Sequence, residues 1–160
     1  MLQMIHSRLV AAFTPSPHFV ALLVLDATTI EDAAIRQLAK NLLSSGCVFF
    51  ISWGPDCERV HDLFDTVANF YEPLIMTTWE SDEPLDEAIW ELLYMTHPHD
   101  AYWDTCRNAV AITVGNSDWS AQVERRLKDI ESLTVMSFPR SNHAMQPTAL
   151  RRYVFDVYVS

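Results

Sequence analysis

Five apolar runs punctuate the chain: FVALLVL (19–25), CVFFIS (47–52), LIMTTW (74–79), AVAITV (109–114) and LTVMSF (133–138). None shows strict apolar–polar alternation. A strand with one solvated face alternates, so near-continuous Val, Ile, Leu and Phe marks strands covered on both faces. That is the situation of a parallel sheet with helices above and below.

Helical periodicity fills the gaps. Ile35, Leu38, Ala39 and Leu42 form one stripe, and Val60, Leu63, Phe64 and Val67 a second. Leu85, Ala88, Ile89 and Leu92 form a third, and Val123, Leu127 and Ile130 a fourth. Start and stop signals flank them. Thr28 and Glu31 have capping-box spacing, and Gly46 suits a helix stop. Asp56 is placed to cap the second helix and Ser117 the fourth. Pro84 suits the first position of the third helix, which must end before Pro98.

The resulting order is β-α-β-α-β-α-β-α-β. Right-handed crossovers then place helices on both faces of the sheet. The expected fold class is α/β, a three-layer arrangement around a mostly parallel sheet of about five strands. A flavodoxin-like strand order is the first expectation and a Rossmann-like order the second. A length of 160 residues suits one domain. Residues 1–18, with Pro15 and Pro17, form an arm with room for an edge strand at RLVAAF (8–13). Residues 19–139 form the α/β domain, and 140–160 a tail.

The formal net charge of -10, with few and scattered Lys and Arg, argues against nucleic acid and against an anionic membrane surface. It leaves cationic small molecules and basic partner segments open. No apolar run is long enough to span a bilayer, and the first residues lack the basic start and apolar core of a signal peptide. Cys47, Cys57 and Cys106 are far apart and odd in number, which is no disulfide framework and fits a reducing cytoplasm. With three glycines in all, a glycine-rich phosphate loop is not expected. No P-loop, dinucleotide fingerprint, nucleophile elbow or Ser-His-Asp set occurs, so no cofactor and no catalytic residue is nominated.

Three segments carry partial chemical signals. Trp53-Gly54-Pro55-Asp56-Cys57 sits where the second strand meets its helix. Thioredoxins place Trp-Cys-Gly-Pro-Cys at such a turn, but exchange needs a second thiol two residues away, and here only Cys57 is present. The segment is therefore a turn. Asp26, at the end of the first strand, partly matches dehalogenase-type phosphatases, metal-dependent adhesion domains and response-regulator receivers. Thr28, Ile30 and Leu25 break those patterns in turn, so a carboxylate bonding nearby amides is expected. HPHD (97–100) has metal-ligand material, but its spacing fits no complete motif and it lies on the amino-terminal side of the sheet. A loop is expected there, and no metal site is assigned.

Ligands of open parallel sheets bind outside the carboxyl ends of the strands. That edge collects Asp26, Trp53, Gly54, Thr78, Trp79, Glu80, Asp82, Gly115 and Asn116, with Trp119 close behind. Tryptophans beside carboxylates suit a cation or a planar amine. The aromatic surplus, including Tyr102 and Trp103 in a loop, is expected to support a homodimer.

The end of the chain differs in character. SNHAMQPTALRR (141–152) has no apolar periodicity, whereas YVFDVYV (153–159) alternates like an edge strand. The segment 141–152 resembles the read-through tail found on many proteins encoded by bacterial integron gene cassettes. The resemblance implies a mobile-cassette origin and no particular activity. The expectation is therefore a self-associating binding or interaction module with its site at the carboxyl edge. The alternatives are a small metal-assisted enzyme using Asp26 and Glu80, and a toxin–antitoxin or phage-defence component.

Overall fold

The computed structural model describes residues 16–71 and 74–128, together with the backbone of 154–159. Five strands form one parallel sheet: β1 (His18–Leu25), β2 (Cys47–Trp53), β3 (Met76–Glu80), β4 (Cys106–Val114) and β5 (Val154–Val159). Four helices connect them: α1 (Asp32–Ser44), α2 (Cys57–Ala68), α3 (Leu85–Tyr94) and α4 (Ser117–Lys128). A 3-10 turn, Asp100–Tyr102, precedes β4. The α/β class is as the apolar runs imply.

The strand order is β3-β2-β1-β4-β5. This is the Rossmann-like arrangement, so the flavodoxin-like first expectation is corrected. The chain winds outward from β1 to β3, then crosses back over β1 to lay down β4. β1 holds the central seat: Phe19 to Leu25 is buried throughout and pairs with β2 on one side and β4 on the other. Helices α1 and α2 pack together, as do α3 and α4. Phe50 of β2 stacks on Phe64 of α2, with ring centroids 3.8 Å apart, inside the core.

The fifth strand is not the expected run. β5 comes from the tail and pairs with β4 from Asn108↔Val154 to Thr113↔Val159. The run 133–138, the arm at 8–13 and the segment 141–152 lie outside the described residues. Among the described residues, no helix is long and apolar enough to cross a membrane.

Helix starts differ from expectation in their details. Thr28 does not cap α1; its amide and hydroxyl both turn back to Asp26 Oδ1, at 3.0 and 2.6 Å. Glu31 holds the cap position instead. Asp56 does precede α2, in a left-handed conformation with φ 65°, but its carboxylate meets Arg59 and not the free amides. Pro84 immediately precedes α3 instead of opening it. In α4 the cap is Asn116, whose Oδ1 accepts from the amides of Asp118 and Trp119, both at 3.0 Å. Ser117 is the first helical residue.

Candidate functional site

The strand order reverses between β1 and β4. Asp26 follows the end of one, and Gly115 with Asn116 the end of the other. Asp26 is exposed, and its two bonds from Thr28, hydroxyl first and then amide, hold its carboxyl below the usual range. Asn116 is committed to capping. Gly115 is exposed with φ +73°, and nothing lies within 4 Å of the position a Cβ would take. Gly54 is different: it is buried with φ +116°, and a Cβ there would lie 2.3 Å from the carbonyl oxygen of Leu25. The close approach at Gly54 is thus between β2 and β1, not between protein and ligand.

The tryptophans do not share one surface. Side chains alternate along a strand, so Trp53 and Trp79 can be directed to opposite faces by register alone. Trp53, at the end of β2, meets Trp119 of α4 edge to face, at 5.2 Å and 84°. Its Nε1 donates to the carbonyl of Glu83 at 2.9 Å, which fastens the loop between β3 and α3 to the sheet. Trp79 lies over His61 of α2 at 4.4 Å and is 41% exposed.

The carboxylates concentrate at the end of β3. Thr78 Oγ1 donates to Glu91 Oε1 at 2.9 Å, tying β3 to α3. The other oxygen, Glu91 Oε2, is buried and meets no amide, hydroxyl or basic donor among the described residues. Burial first, then a hydrogen bond with the Glu91 side chain and the charge of that carboxylate, then Glu83 and Glu87, push the Glu80 carboxyl up to about 7. Glu87 is raised as well, by burial and then by Glu83 and Asp86. Asp82 is exposed in the same loop. Asp26 and Glu80 are not brought together. They follow or end strands separated by β2, about 10 Å apart by strand spacing. Among the described residues, no group of three or more His, Cys, Asp or Glu is arranged to hold a metal ion.

One cluster has no counterpart in the expected site. His61 is buried, with Nδ1 3.2 Å from Asp62 Oδ1 and Nε2 3.1 Å from Thr77 Oγ1. The Thr77 hydroxyl donates to Asp65. The i,i+4 pair His61 and Asp65 was visible in the sequence, but its partner Thr77 depends on the pairing of β3 beside α2. This cluster and Trp79 line the same outer strand.

The remaining signals are structural. Cys47, Cys57 and Cys106 are all buried, and none is in a disulfide. Burial pushes Cys57 upward, which leaves a poor nucleophile at the turn. In the HPHD segment, His99 accepts from the amide of Ala101 to cap the 3-10 turn. Trp103 is exposed, whereas Tyr102 packs edge-on against His18 at 4.8 Å.

No curated protein and no solved structure matches the chain. A family model does match, over residues 3–130, which takes in strands β1 to β4 with all four helices and stops short of β5. The chain belongs to that family, the domain of unknown function DUF7684.

Proposed function

We propose that the protein is a binding module whose acidic end, where β3 meets α3, takes up a cationic group. The buried Glu91 Oε2, which meets no amide, hydroxyl or basic donor among the described residues, and whose side chain is hydrogen-bonded to the raised carboxyl of Glu80, carries this reading. When Glu80 ionises, that hydrogen bond loses its proton; a buried acceptor left without a donor costs on the order of 1–3 kcal/mol, which an ammonium donor can recover. The charge distribution favours the same class of ligand. Between Arg59 and Arg107 the chain contains no Lys or Arg, so nothing in this stretch neutralises Glu80, Asp82, Glu83, Glu87 and Glu91. A phosphate would meet these carboxylates as like charges, whereas an amine is attracted to the ionised ones.

Trp53 reports on the site, because its indole holds the Glu83 carbonyl. Titration with spermidine at low salt is expected to change tryptophan emission, more strongly at pH 8 than at pH 6, as Glu80 ionises. Glu91→Gln should weaken the response. No response to spermidine or putrescine at either pH removes the reading. Self-association belongs to the other end of the sheet, where Trp103 is exposed. The cassette origin concerns residues 141–152, and a family match that ends at residue 130 supports a domain followed by an appended tail.

A further inference from the structure

We infer that the outer edge of β3 accepts an extended basic segment of a partner protein, which adds to the sheet as a further strand antiparallel to β3. The basic preference rests on the cation-binding reading above; the place and mode of docking rest on separate observations. β3 is the terminal strand of the sheet, and β2 is its one ladder neighbour among the described residues. Its outer row of backbone donors and acceptors is a template for another chain. Proteins usually blunt such an edge with Lys, Pro or a bulge. Met76–Glu80 reads MTTWE, and its pairing with β2 runs without a register shift.

The flanks of this edge are chemically graded. Toward its amino end the surface is apolar, with Phe70 86% and Leu74 56% exposed and Met76 beside them. Trp79 follows, also exposed. Toward its carboxyl end the surface is acidic, through Glu80 and Asp82, with Asp62 on α2 beside His61, while Asp65 is held by Thr77 nearer the amino end. The occupant must match that gradient, with apolar residues against Leu74 and Met76 and basic residues against Glu80. Antiparallel pairing is slightly the more stable per residue. The basic residues therefore come first in the partner segment and the apolar ones after. A second copy of this chain fits less well, because it would set one edge without a Lys or Arg against another.

The test uses amide hydrogen exchange of the full chain at low salt. The probe is a blocked peptide Lys-Arg-Lys-Val-Thr-Val, with Glu-Glu-Glu-Val-Thr-Val as control. The basic peptide is expected to slow exchange across Met76–Glu80 by about tenfold or more, and the acidic one to leave it unchanged. Salt near 1 M should remove the effect, because screening there acts within about 3 Å. Met76→Lys and Trp79→Lys should each abolish the protection while keeping the spermidine response of Trp53. If spermidine and the basic peptide both change Trp53 emission but β3 exchange stays fast, the cationic site stands and strand addition is overturned. If β3 becomes protected with rising protein concentration and no peptide, the occupant is a second copy and the inference is overturned. If both probes fail at Trp53 while β3 is protected by the acidic peptide as well, the edge docks strands but its basic selectivity is overturned.

Discussion

Arg59 in the first turn of α2 reaches Asp32 at the start of α1, Nη1 to Oδ1 at 2.6 Å. The same guanidinium holds Asp56 through Nε at 2.6 Å and the carbonyls of Ala27 and Ile30 through Nη2 at 2.6 and 3.1 Å. One side chain thus fastens the loop after β1 to the turn after β2, and so holds Asp26 and Trp53 at a constant spacing. Its planar fork is what makes four acceptors reachable at once. Arg59→Met, which keeps much of the stem, should destabilise the chain by about 1–2 kcal/mol in urea unfolding. Arg59→Lys should restore little of that. Asp32→Asn should cost less than about 1 kcal/mol, since this partner is largely exposed. Equal losses for Arg59→Met and Asp32→Asn would mean that the ion pair, and not the carbonyl anchors, is the working contact.

Glu80 makes stability fall as pH rises. Its folded carboxyl is pushed up to about 7 from an ordinary value of 4.5, so between those values the folded chain binds more protons than the unfolded one. The stabilisation is complete below about 4.5 and is lost as pH rises through about 7. Asp86 acts in the opposite sense. Burial raises it, but Arg126 and Gln122 outweigh burial and hold it below the usual range, so its contribution is present above 3.8 and is lost in acid. Melting temperatures from pH 4 to 9 should therefore show a decline on the alkaline side that Glu80→Gln removes. A Gln variant with the same alkaline decline as the parent would show that Glu80 is not its source.

Two glycines at the carboxyl edge should respond very differently to alanine. Gly54→Ala adds a Cβ against the Leu25 carbonyl and forces φ +116° on an alanine, so a loss of about 3 kcal/mol or more is expected. Gly115→Ala meets no atoms and carries only the left-handed backbone cost, about 1–2 kcal/mol. Denaturant midpoints with unchanged slopes measure both. A Gly115→Ala variant as damaged as Gly54→Ala would mean that the space in front of Gly115 is filled in solution.

The layering of this fold was legible because burial on both faces writes itself into consecutive residues. Phe19–Leu25, the CVFFIS run and the AVAITV run are all strands in the structure, and the turn from Trp53 to Cys57 lies where expected. Strand order was not legible in the same way. β2 and β4 are equally apolar, and nothing local says that both flank β1. That choice is made by packing between residues distant in sequence, as when Val24 takes Trp53 on one side and Thr113 on the other. The caps failed for a related reason. Thr28 and Asp56 are sound capping residues, yet Asp26 and Arg59 compete for their side chains and win. The residues nominated for the carboxyl edge do lie there, but which face each would take was beyond reach. Thr77 and Trp79 are directed to α2, while Thr78 meets α3, and only the register of β3 decides this.

The tail offers the last test. β4 is buried along nearly its whole length, and β5 supplies its outer ladder from Asn108 to Thr113. The family match ends at residue 130, so this partner strand comes from chain beyond the matched region. A chain ending at residue 139 would present an apolar parallel strand with an open backbone edge, the arrangement most prone to pair with other chains. Lower thermal stability is expected, together with light scattering that increases with concentration. Val157→Pro in the full chain isolates the ladder from the rest of the tail, since it removes one backbone donor opposite Ala111. It should move stability in the same direction by a smaller amount. If the truncated chain melts with the full one and stays monodisperse, β4 does not depend on β5 for its edge.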